Sequence, residues 1–378
     1  MLFEDIPAHN SIKDRLRGFA DSGKIPHALL FEGPSGVGKF SIARAFAQYI
    51  HCTGKVEGAK DSCGECPSCR QHQNLGHIDT HYVFPVLKTD AFKNPTSDDY
   101  LPEWGEYIRD RRYMDFGAWT KAIEGDKKNP QPIIYVYESA VLLHKLSFAS
   151  HGSKYKIVIW WLPEKMNTEA ANKLLKLIEE PWEDTLFLMV SDNSAEILPT
   201  ISSRLQKISF SKLSDATVSE IIENIAGVSP DSSLSVAHCA NGSVSAALRN
   251  LGNLGDESEY LERFISLMRL AYQRKIADLK KWSEDLTAIG REREIRFYDY
   301  CCRLIRENFI FNFKLPQLNF LSASESQFSV NFARFINERN VEKLIDVFDK
   351  AITDISGNGN GKIINFDVAI KVILLLKQ

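Results

Sequence analysis

The stretch Gly33-Pro-Ser-Gly-Val-Gly-Lys39-Phe40 decides the fold. It follows a short apolar run, Ala28-Leu-Leu-Phe31, and it precedes a helical pattern, which predicts a strand, a glycine-rich loop and a helix in succession. The loop fits the phosphate-binding pattern G-x-x-x-x-G-K-[ST] at every fixed position except the last. Its glycines let backbone amides turn towards phosphates, and its lysine meets their charge. The candidate nucleotide-binding residues are Gly33, Gly36, Gly38 and Lys39.

Phe40 stands where the pattern has a Ser or Thr that ligates Mg²⁺, and a phenyl ring has no oxygen for that task. Ser41 cannot easily replace it, because one step along a helix rotates the side chain by about 100°. A working ATPase of this kind also carries a carboxylate pair after its next strand. Leu162 and Pro163 occupy those positions, with Glu164 beyond the strand end. We therefore expect no hydrolysis; the loop is either a degenerate nucleotide site or only a tight turn.

Further strands and helices predict the fold class. Ile157-Val-Ile-Trp160 and Thr185-Leu-Phe-Leu-Met-Val190 are apolar runs suited to buried strands. Between them, a helix is predicted over residues 168–180, capped by Asn167 or Thr168 and ended by Pro181. Strands that alternate with helices of this length predict a parallel sheet with helices on both faces.

The composition limits the kind of protein. The chain has 378 residues, 44% hydrophobic and 25% charged, which is ordinary for a globular protein of two or three domains. Its longest apolar run, about seven residues, is far below the roughly 20 that cross a bilayer. The formal net charge of −3 argues against coating nucleic acid through bulk positive charge. An acidic N-terminal start without a long apolar stretch predicts a cytoplasmic protein.

Four of the seven cysteines form a cluster of closely spaced thiols. Four thiolates with tight turns between them suit a tetrahedral structural zinc site. The candidate metal ligands are Cys52, Cys63, Cys66 and Cys69. The neighbouring His51, His72 and His77 could substitute for Cys52. Free thiols, a redox role and an iron–sulfur cluster remain open alternatives.

The rest of the chain changes character several times. Residues 85–131 are rich in polar residues with interleaved aromatics, and we interpret them as a long surface insertion with some helix. Residues 211–250 predict a small helical unit, and Asn250-Leu-Gly-Asn-Leu-Gly-Asp256 is a linker candidate. Residues 257–378 show helical periodicity almost throughout.

Several of these features together resemble bacterial clamp-loader subunits of the AAA+ family. They are Pro26-His-Ala-Leu-Leu30, the incomplete phosphate loop, the cysteine cluster, Asn172-Lys-Leu-Leu-Lys-Leu-Ile-Glu-Glu-Pro181 and Ser203-Arg204. The resemblance covers about 1–84 and 133–250. It implies an α/β P-loop AAA+ module, a parallel sheet flanked by helices, with a small helical lid and an all-α C-terminal collar. The implied domains are 1–210, with a zinc module at about 52–69 and the insertion at about 85–131, then 211–252 and 257–378.

The resemblance also implies a function. The chain is most similar to a non-catalytic, stator-like subunit of this family, which supports ATP-dependent loading of the sliding clamp onto primed DNA. The implied partners are the gamma/tau and delta clamp-loader subunits in a ring, with the clamp and DNA reached through the complex. The whole assembly serves DNA polymerase III, a DNA-directed DNA polymerase. ATP binding by this chain itself is not expected to be productive.

Two further residues enter through the resemblance. Arg204 is implied to be an arginine finger that acts in trans on a neighbouring ATPase subunit, although an arginine at this edge can also form an ordinary surface salt bridge. Ser245 stands where the family has a sensor arginine in the lid. The alternative functions are an active, gamma/tau-like ATPase subunit and a free-standing zinc-bearing DNA-binding protein.

Overall fold

The computed structural model describes residues 1–56, 58–109, 111–125, 130–252, 254–315, 318–357 and 359–377. The chain divides into two compact units. The N-terminal unit comprises Met1–Gly227 and Gly242–Ala246, and the C-terminal unit comprises Val228–Asn241 and Ala247–Gln378. The three-domain division stays a prediction.

The N-terminal unit is built on a parallel sheet. Its five described strands are β1 Ala28–Glu32, β2 Thr80–Val83, β3 Lys156–Trp161, β4 Thr185–Ser191 and β5 Gln206–Ser209, in the spatial order β2-β3-β4-β1-β5. Leu188 of β4 lies opposite Leu29 of β1 on one side and Ile159 of β3 on the other. The three predicted strands are confirmed. The two edge strands, β2 and β5, were not predicted, because each has only four residues and includes polar ones.

Helices cover both faces of this sheet. The described helices of the N-terminal unit are α1 Asn10–Asp21, α2 Lys39–His51, α3 Pro67–Gln73, α4 Leu101–Arg109, α5 Phe116–Ile123, α6 Tyr137–Ser147, α7 Thr168–Glu179, α8 Pro199–Ser202 and α9 Asp215–Ala226. The predicted helix α7 is confirmed: the Asn167 side chain accepts a hydrogen bond from the Ala170 amide, which caps its first turn. Its apolar residues Leu174 and Ile178 are buried under the sheet. The α/β P-loop architecture is thereby confirmed.

The described part of the C-terminal unit is helical. Its helices are α10 Pro230–Cys239, α11 Val244–Gly252, whose first residues belong to the N-terminal unit, α12 Leu254–Gln273, α13 Ile276–Thr287, α14 Arg291–Phe311, α15 Ala323–Phe332, α16 Val341–Ser356 and α17 Gly361–Leu375. Phe264, Tyr298 and Phe348 lie in its core. The described residues of the linker candidate at 250–256 are helical, because α11 extends to Gly252 and α12 begins at Leu254, whereas Asn253 lies outside the described residues. Among the described residues, no helix is both long and apolar enough to span a membrane.

The insertion at 85–131 contributes to the core of the N-terminal unit. Its helix α4 places Trp104 face to face with Phe84, with ring centroids 4.0 Å apart, and Trp104 is 1% exposed. Trp119 of α5 is buried, and its indole N–H donates to the Pro85 carbonyl at 2.8 Å. The predicted helix in this insertion is confirmed, but the insertion is not confined to the surface, because these aromatic side chains are buried. These aromatic side chains bury large apolar areas that the sheet and α2 alone would leave uncovered.

Trp104→Ala should destabilise the N-terminal unit by about 3–5 kcal/mol, since it removes a fully buried indole and leaves a cavity. The measurement is urea denaturation of the full chain, with circular dichroism as the signal that reports unfolding. Trp182→Ala is the matched control, because Trp182 is 40% exposed, and its cost should stay below about 1 kcal/mol. Equal losses in the two variants would contradict the core role of the insertion.

Candidate functional site

The phosphate loop, residues 33–39, connects β1 to α2. Gly36 and Gly38 have φ values of 75° and 96°, in the left-handed region that favours glycine. The Lys39 ammonium donates to the Gly33 carbonyl at 2.7 Å and to the Pro34 carbonyl, and it lies 2.8 Å from the Asp192 carboxylate. Its side chain is 3% exposed. The lysine that the sequence predicts to bind a phosphate thus already interacts with two carbonyl oxygens and a carboxylate of its own chain.

The sequence analysis missed Asp192 as a site residue, and it named Glu164 without assigning it a contact in the site. Asp192 directly follows β4, and its charge partly offsets the lowering of the Lys39 pKa that burial causes. Glu164 accepts hydrogen bonds from the amides of Asp192 at 2.8 Å and Asn193 at 3.1 Å. Burial raises the pKa of Glu164. Carboxyl ends of neighbouring parallel strands meet at one edge of a sheet, and this rule was the signal that could have found both residues.

Glu164 lies beyond the end of its strand, as the sequence predicted, but the chain turns back there. Strand β3 ends at Trp161, and Leu162 then adopts a left-handed conformation with φ of 56°. The next three residues, Pro163–Lys165, form one turn of 3₁₀ helix. This reversal turns the Glu164 carboxylate back towards the backbone that follows β4, where it fixes the loop that carries Asp192.

Other parts of the chain cover the phosphate loop. The Val244 amide donates to the Gly36 carbonyl at 3.0 Å. A Cβ atom at Gly36 would collide with the hydroxyls of Ser243 and Ser245, and one at Gly38 would lie 3.3 Å from the Tyr113 ring. Ser245, which stands at the position of the expected sensor arginine, therefore packs directly on the loop. The glycines allow other atoms to approach the loop backbone closely, but here those atoms belong to Ser243, Ser245 and Tyr113 of the same chain.

The position expected to ligate Mg²⁺ is closed and apolar. Phe40 is buried, with its ring centroid 5.5 Å from that of Trp104 and 6.5 Å from that of Trp161. The Ser41 hydroxyl donates to the carbonyl of Arg112 in the insertion. Phe40 has no side-chain oxygen, and the Ser41 hydroxyl is engaged by the Arg112 carbonyl. Neither residue therefore supplies a metal ligand at the loop.

Arg204 lies after the short helix α8, at the edge of the N-terminal unit. Its guanidinium is 2.8 Å from the Glu179 carboxylate and donates to the Thr200 carbonyl at 2.6 Å. The side chain remains 41% exposed, in an open hollow of about 410 Å³ that His27 and Glu180 also line. The structure therefore presents a half-exposed, oriented arginine, and its action on a neighbour stays a prediction.

The four predicted cysteine ligands come together. The Cys52 and Cys63 sulfurs are 3.5 Å apart, the Cys63 and Cys69 sulfurs 4.0 Å, and all four lie within 4.8 Å of one another. Tetrahedral zinc with bonds of about 2.3 Å spaces its sulfur ligands by about 3.8 Å. Gly54 is needed beside them, because a Cβ atom there would lie 2.8 Å from the Cys63 sulfur. The cluster therefore fits a metal such as zinc.

Hydrogen bonds favour the ionised form of two of these sulfurs, those of Cys63 and Cys66, whereas burial raises the pKa values of Cys52 and Cys69. Burial would raise the pKa of Cys66, but hydrogen bonds from Thr53 and the Cys69 amide outweigh that effect and lower it to about 5. The amides of Glu65 and Cys66 lower the pKa of Cys63. A thiolate is the form of cysteine that binds metals.

The three histidines that could have replaced Cys52 form a group of their own, here called the histidine cluster. The His51 and His72 rings share a contact of 3.0 Å between Nδ1 and Nε2, and the His77 ring stacks on both, with centroids 4.2 and 4.4 Å away. All three are buried. Burial, followed by the charge of neighbouring histidines, lowers the pKa of His51 to about 4 and that of His72 to about 2.

Solved structures resemble this chain only distantly. A DNA polymerase III gamma subunit-related protein from Thermotoga maritima aligns with 96% of this chain and 100% of its own, at 12% identity and a TM-score of 0.41. The RuvB Holliday junction branch migration motor of the same organism aligns with 68% of this chain and 64% of its own, at 12% identity and a TM-score of 0.36. Scores this low carry no argument about function.

Sequence comparisons are more informative. The chain is 26% identical to DNA polymerase III subunit delta' of Bacillus subtilis over 68% of its own length and 62% of that protein's. It is 30% identical to subunit delta' of Pseudomonas aeruginosa, over 47% of this chain and 41% of that protein. It is 27% identical to subunit tau of Bacillus subtilis, over 57% of this chain and 30% of that protein. The matched part of the chain thus spans less than two thirds of the length of each of these relatives.

The family model described as DNA polymerase III, delta subunit, matches residues 8–214, which is more than half of the chain. That range contains the whole parallel sheet, the phosphate loop, the cysteine cluster and Arg204. The chain therefore belongs to this DNA polymerase III delta-subunit family.

Proposed function

We propose that this chain is a non-hydrolysing, delta-prime-type subunit of the DNA polymerase III clamp loader. In this role it works in the cytoplasm, in a ring with gamma/tau-type ATPase subunits and delta. It supports ATP-dependent loading of the sliding clamp onto primed DNA. The observation that carries the proposal is a phosphate loop filled by its own chain, in a unit that presents a half-exposed arginine at its edge.

The filled loop argues for a silent nucleotide site. A phosphate would have to displace Asp192 from Lys39 and remove Ser243 and Ser245 from the surface of Gly36. Metal-assisted phosphoryl transfer needs oxygen ligands for Mg²⁺ and a group that positions the attacking water. Phe40 supplies no ligand, and the Glu164 carboxylate is engaged by backbone amides. These separate losses disfavour the alternative of an active, gamma/tau-like ATPase.

Arg204 is the residue that acts on a neighbour in this proposal. An arginine that reaches the γ-phosphate of an adjoining subunit stabilises the charge of the transition state. The Glu179 carboxylate, 2.8 Å away, holds the guanidinium in place, and the side chain remains accessible. A surface ion pair of this kind contributes at most about 1 kcal/mol, so a phosphate on a partner can replace Glu179.

The cysteine cluster holds structural zinc in this proposal. Four thiolates complete a tetrahedral shell and leave no open position for a substrate, which is the arrangement of structural rather than catalytic sites. Cys52 follows α2 and Cys66 precedes α3, so the metal would fasten these two helices together. The reducing cytoplasm keeps such thiols available for the metal.

Arg204→Ala should leave the fold and ring assembly intact and should lower DNA-stimulated hydrolysis at the adjoining ATPase site. Loss of an arginine finger costs about 10³–10⁵ in rate at one site, although whole-complex hydrolysis falls less because other sites keep their own arginines. Arg204→Lys should rescue poorly, since lysine lacks the planar fork. The measurement is ATPase and clamp loading by reconstituted complexes.

Two controls accompany this experiment. Lys207→Ala removes a nearby cation whose side chain is 48% exposed, and it should leave hydrolysis unchanged. Glu179→Gln removes the intrachain partner of Arg204 but keeps the guanidinium, so it should retain most of the activity. If Arg204→Ala complexes assemble fully and load clamps like wild type, the trans-acting role is wrong.

The zinc assignment predicts about one cysteine-bound zinc per chain. Cys63→Ser should abolish it, because this sulfur lies 3.5 Å from that of Cys52 and 4.0 Å from that of Cys69, while Cys239→Ser, outside the cluster, should have no effect. Titration of the native protein with a thiol reagent, before and after addition of a chelator, measures protection of the four thiols. Four freely reactive thiols in the untreated wild type would contradict the site.

A further inference from the structure

The histidine cluster is a second group of possible metal ligands, separate from the cysteine cluster. His51 is the last residue of α2, His72 lies in α3, and His77 precedes β2, so three different segments contribute to it. All three rings are buried, and at least one nitrogen of each lies within 4.8 Å of the others. Neither the phosphate loop nor the proposed action of Arg204 uses these residues.

The distances between the ring nitrogens suit a shared cation. Tetrahedral zinc with Zn–N bonds of about 2.0–2.1 Å separates two nitrogen ligands by about 3.3 Å. His51 Nδ1 and His72 Nε2 are 3.0 Å apart, within a few tenths of that spacing. One nitrogen of His77 lies within 4.8 Å of ring nitrogens of the other two, but its ring is stacked on theirs, so it has to turn out of these stacks for that nitrogen to enter the same shell.

A backbone carbonyl fixes the ring of His51 in the form that a metal needs. His51 Nε2 lies 2.8 Å from the Tyr155 carbonyl oxygen, which can only accept, so Nε2 carries the proton. Nδ1 is then left with its lone pair towards His72. Metal-binding histidines generally donate their other ring N–H to such an oxygen, which sets the tautomer and the orientation. For His72 Nε2 to bind as well, its proton moves to the other ring nitrogen.

A buried carboxylate supplies compensating charge. Asp79 is buried and accepts hydrogen bonds from the His151 amide at 2.7 Å and from the Ser153 hydroxyl. Its negative charge acts on both His51 and His77. The hydroxyl of Thr80 lies 3.4 Å from His51 Nδ1 and 3.5 Å from His77 Nδ1, so a polar atom also faces the cluster. A cation in this place would therefore meet three nitrogens, an oxygen and a nearby anion.

We propose that His51, His72 and His77 bind a second divalent cation, of the nitrogen-preferring class to which zinc and cobalt belong. Imidazole suits these metals, whereas magnesium and calcium prefer oxygen ligands. The site is structural: it fastens the end of α2, helix α3 and the start of β2. It is independent of the cysteine cluster, because the two ligand sets share no residue.

The test uses Co²⁺ and the full chain, with its native metals removed by a chelator. Wild type should bind two equivalents. The cysteine-bound ion gives intense thiolate-to-metal charge-transfer absorption, whereas the histidine-bound ion gives only weaker ligand-field bands. His77→Asn should bind one equivalent and keep the thiolate absorption. His144→Asn, which changes an exposed histidine of α6, should still bind two.

A second variant separates this site from the proposed zinc site. Cys63→Ser should lose the thiolate absorption but still bind one equivalent with nitrogen-type bands. Should His77→Asn fail to fold, the titrations of wild type and Cys63→Ser decide the question alone. The inference is overturned if wild type saturates at one equivalent with thiolate absorption only, or if Cys63→Ser binds none. In that case the three histidines are a hydrogen-bonded stack in the core.

Discussion

The packing of Phe40 among buried aromatic rings couples the phosphate loop to the core of the N-terminal unit. Its ring lies against Trp104 of the insertion and Trp161 at the end of β3. A working magnesium site needs an oxygen at this position and room for water around it. The fold instead needs an apolar group here, because the neighbouring indoles would otherwise face a cavity. The side chain that fills this space in the core is thus one that has no oxygen to ligate magnesium.

The same constraint explains the surroundings of the loop. In a nucleotide-binding chain, the ligand stabilises the loop by binding to the folded state. Here internal contacts take that role: Asp192 neutralises Lys39, Val244 binds the Gly36 carbonyl, and Tyr113 of the insertion lies against Gly38. The insertion therefore takes part in filling the loop region, since it supplies both an aromatic partner for Phe40 and part of the cover over the loop.

The sequence predicted those features that depend on local pattern. The glycine loop, the strands β1, β3 and β4, the cap of α7 and the meeting of four cysteines all follow from short-range spacing. It failed where three-dimensional proximity decides. Strand β2 has no continuous apolar run, Glu164 returns to the site only through the left-handed Leu162, and the aromatics of the insertion gave no sign of which surface they would cover. The glycines of residues 250–256 suggested a linker, but the described residues of this stretch are helical despite the weak helix propensity of glycine.

The central claim is that the phosphate loop is filled by its own chain, and nucleotide binding tests it most directly. The measurement is an equilibrium titration of the full chain with fluorescently labelled ATP, with and without Mg²⁺, beside a gamma/tau-type ATPase subunit as the positive control. The account predicts no saturable, Mg²⁺-dependent binding up to millimolar nucleotide. Micromolar binding that requires Mg²⁺ and disappears in Lys39→Ala would contradict it.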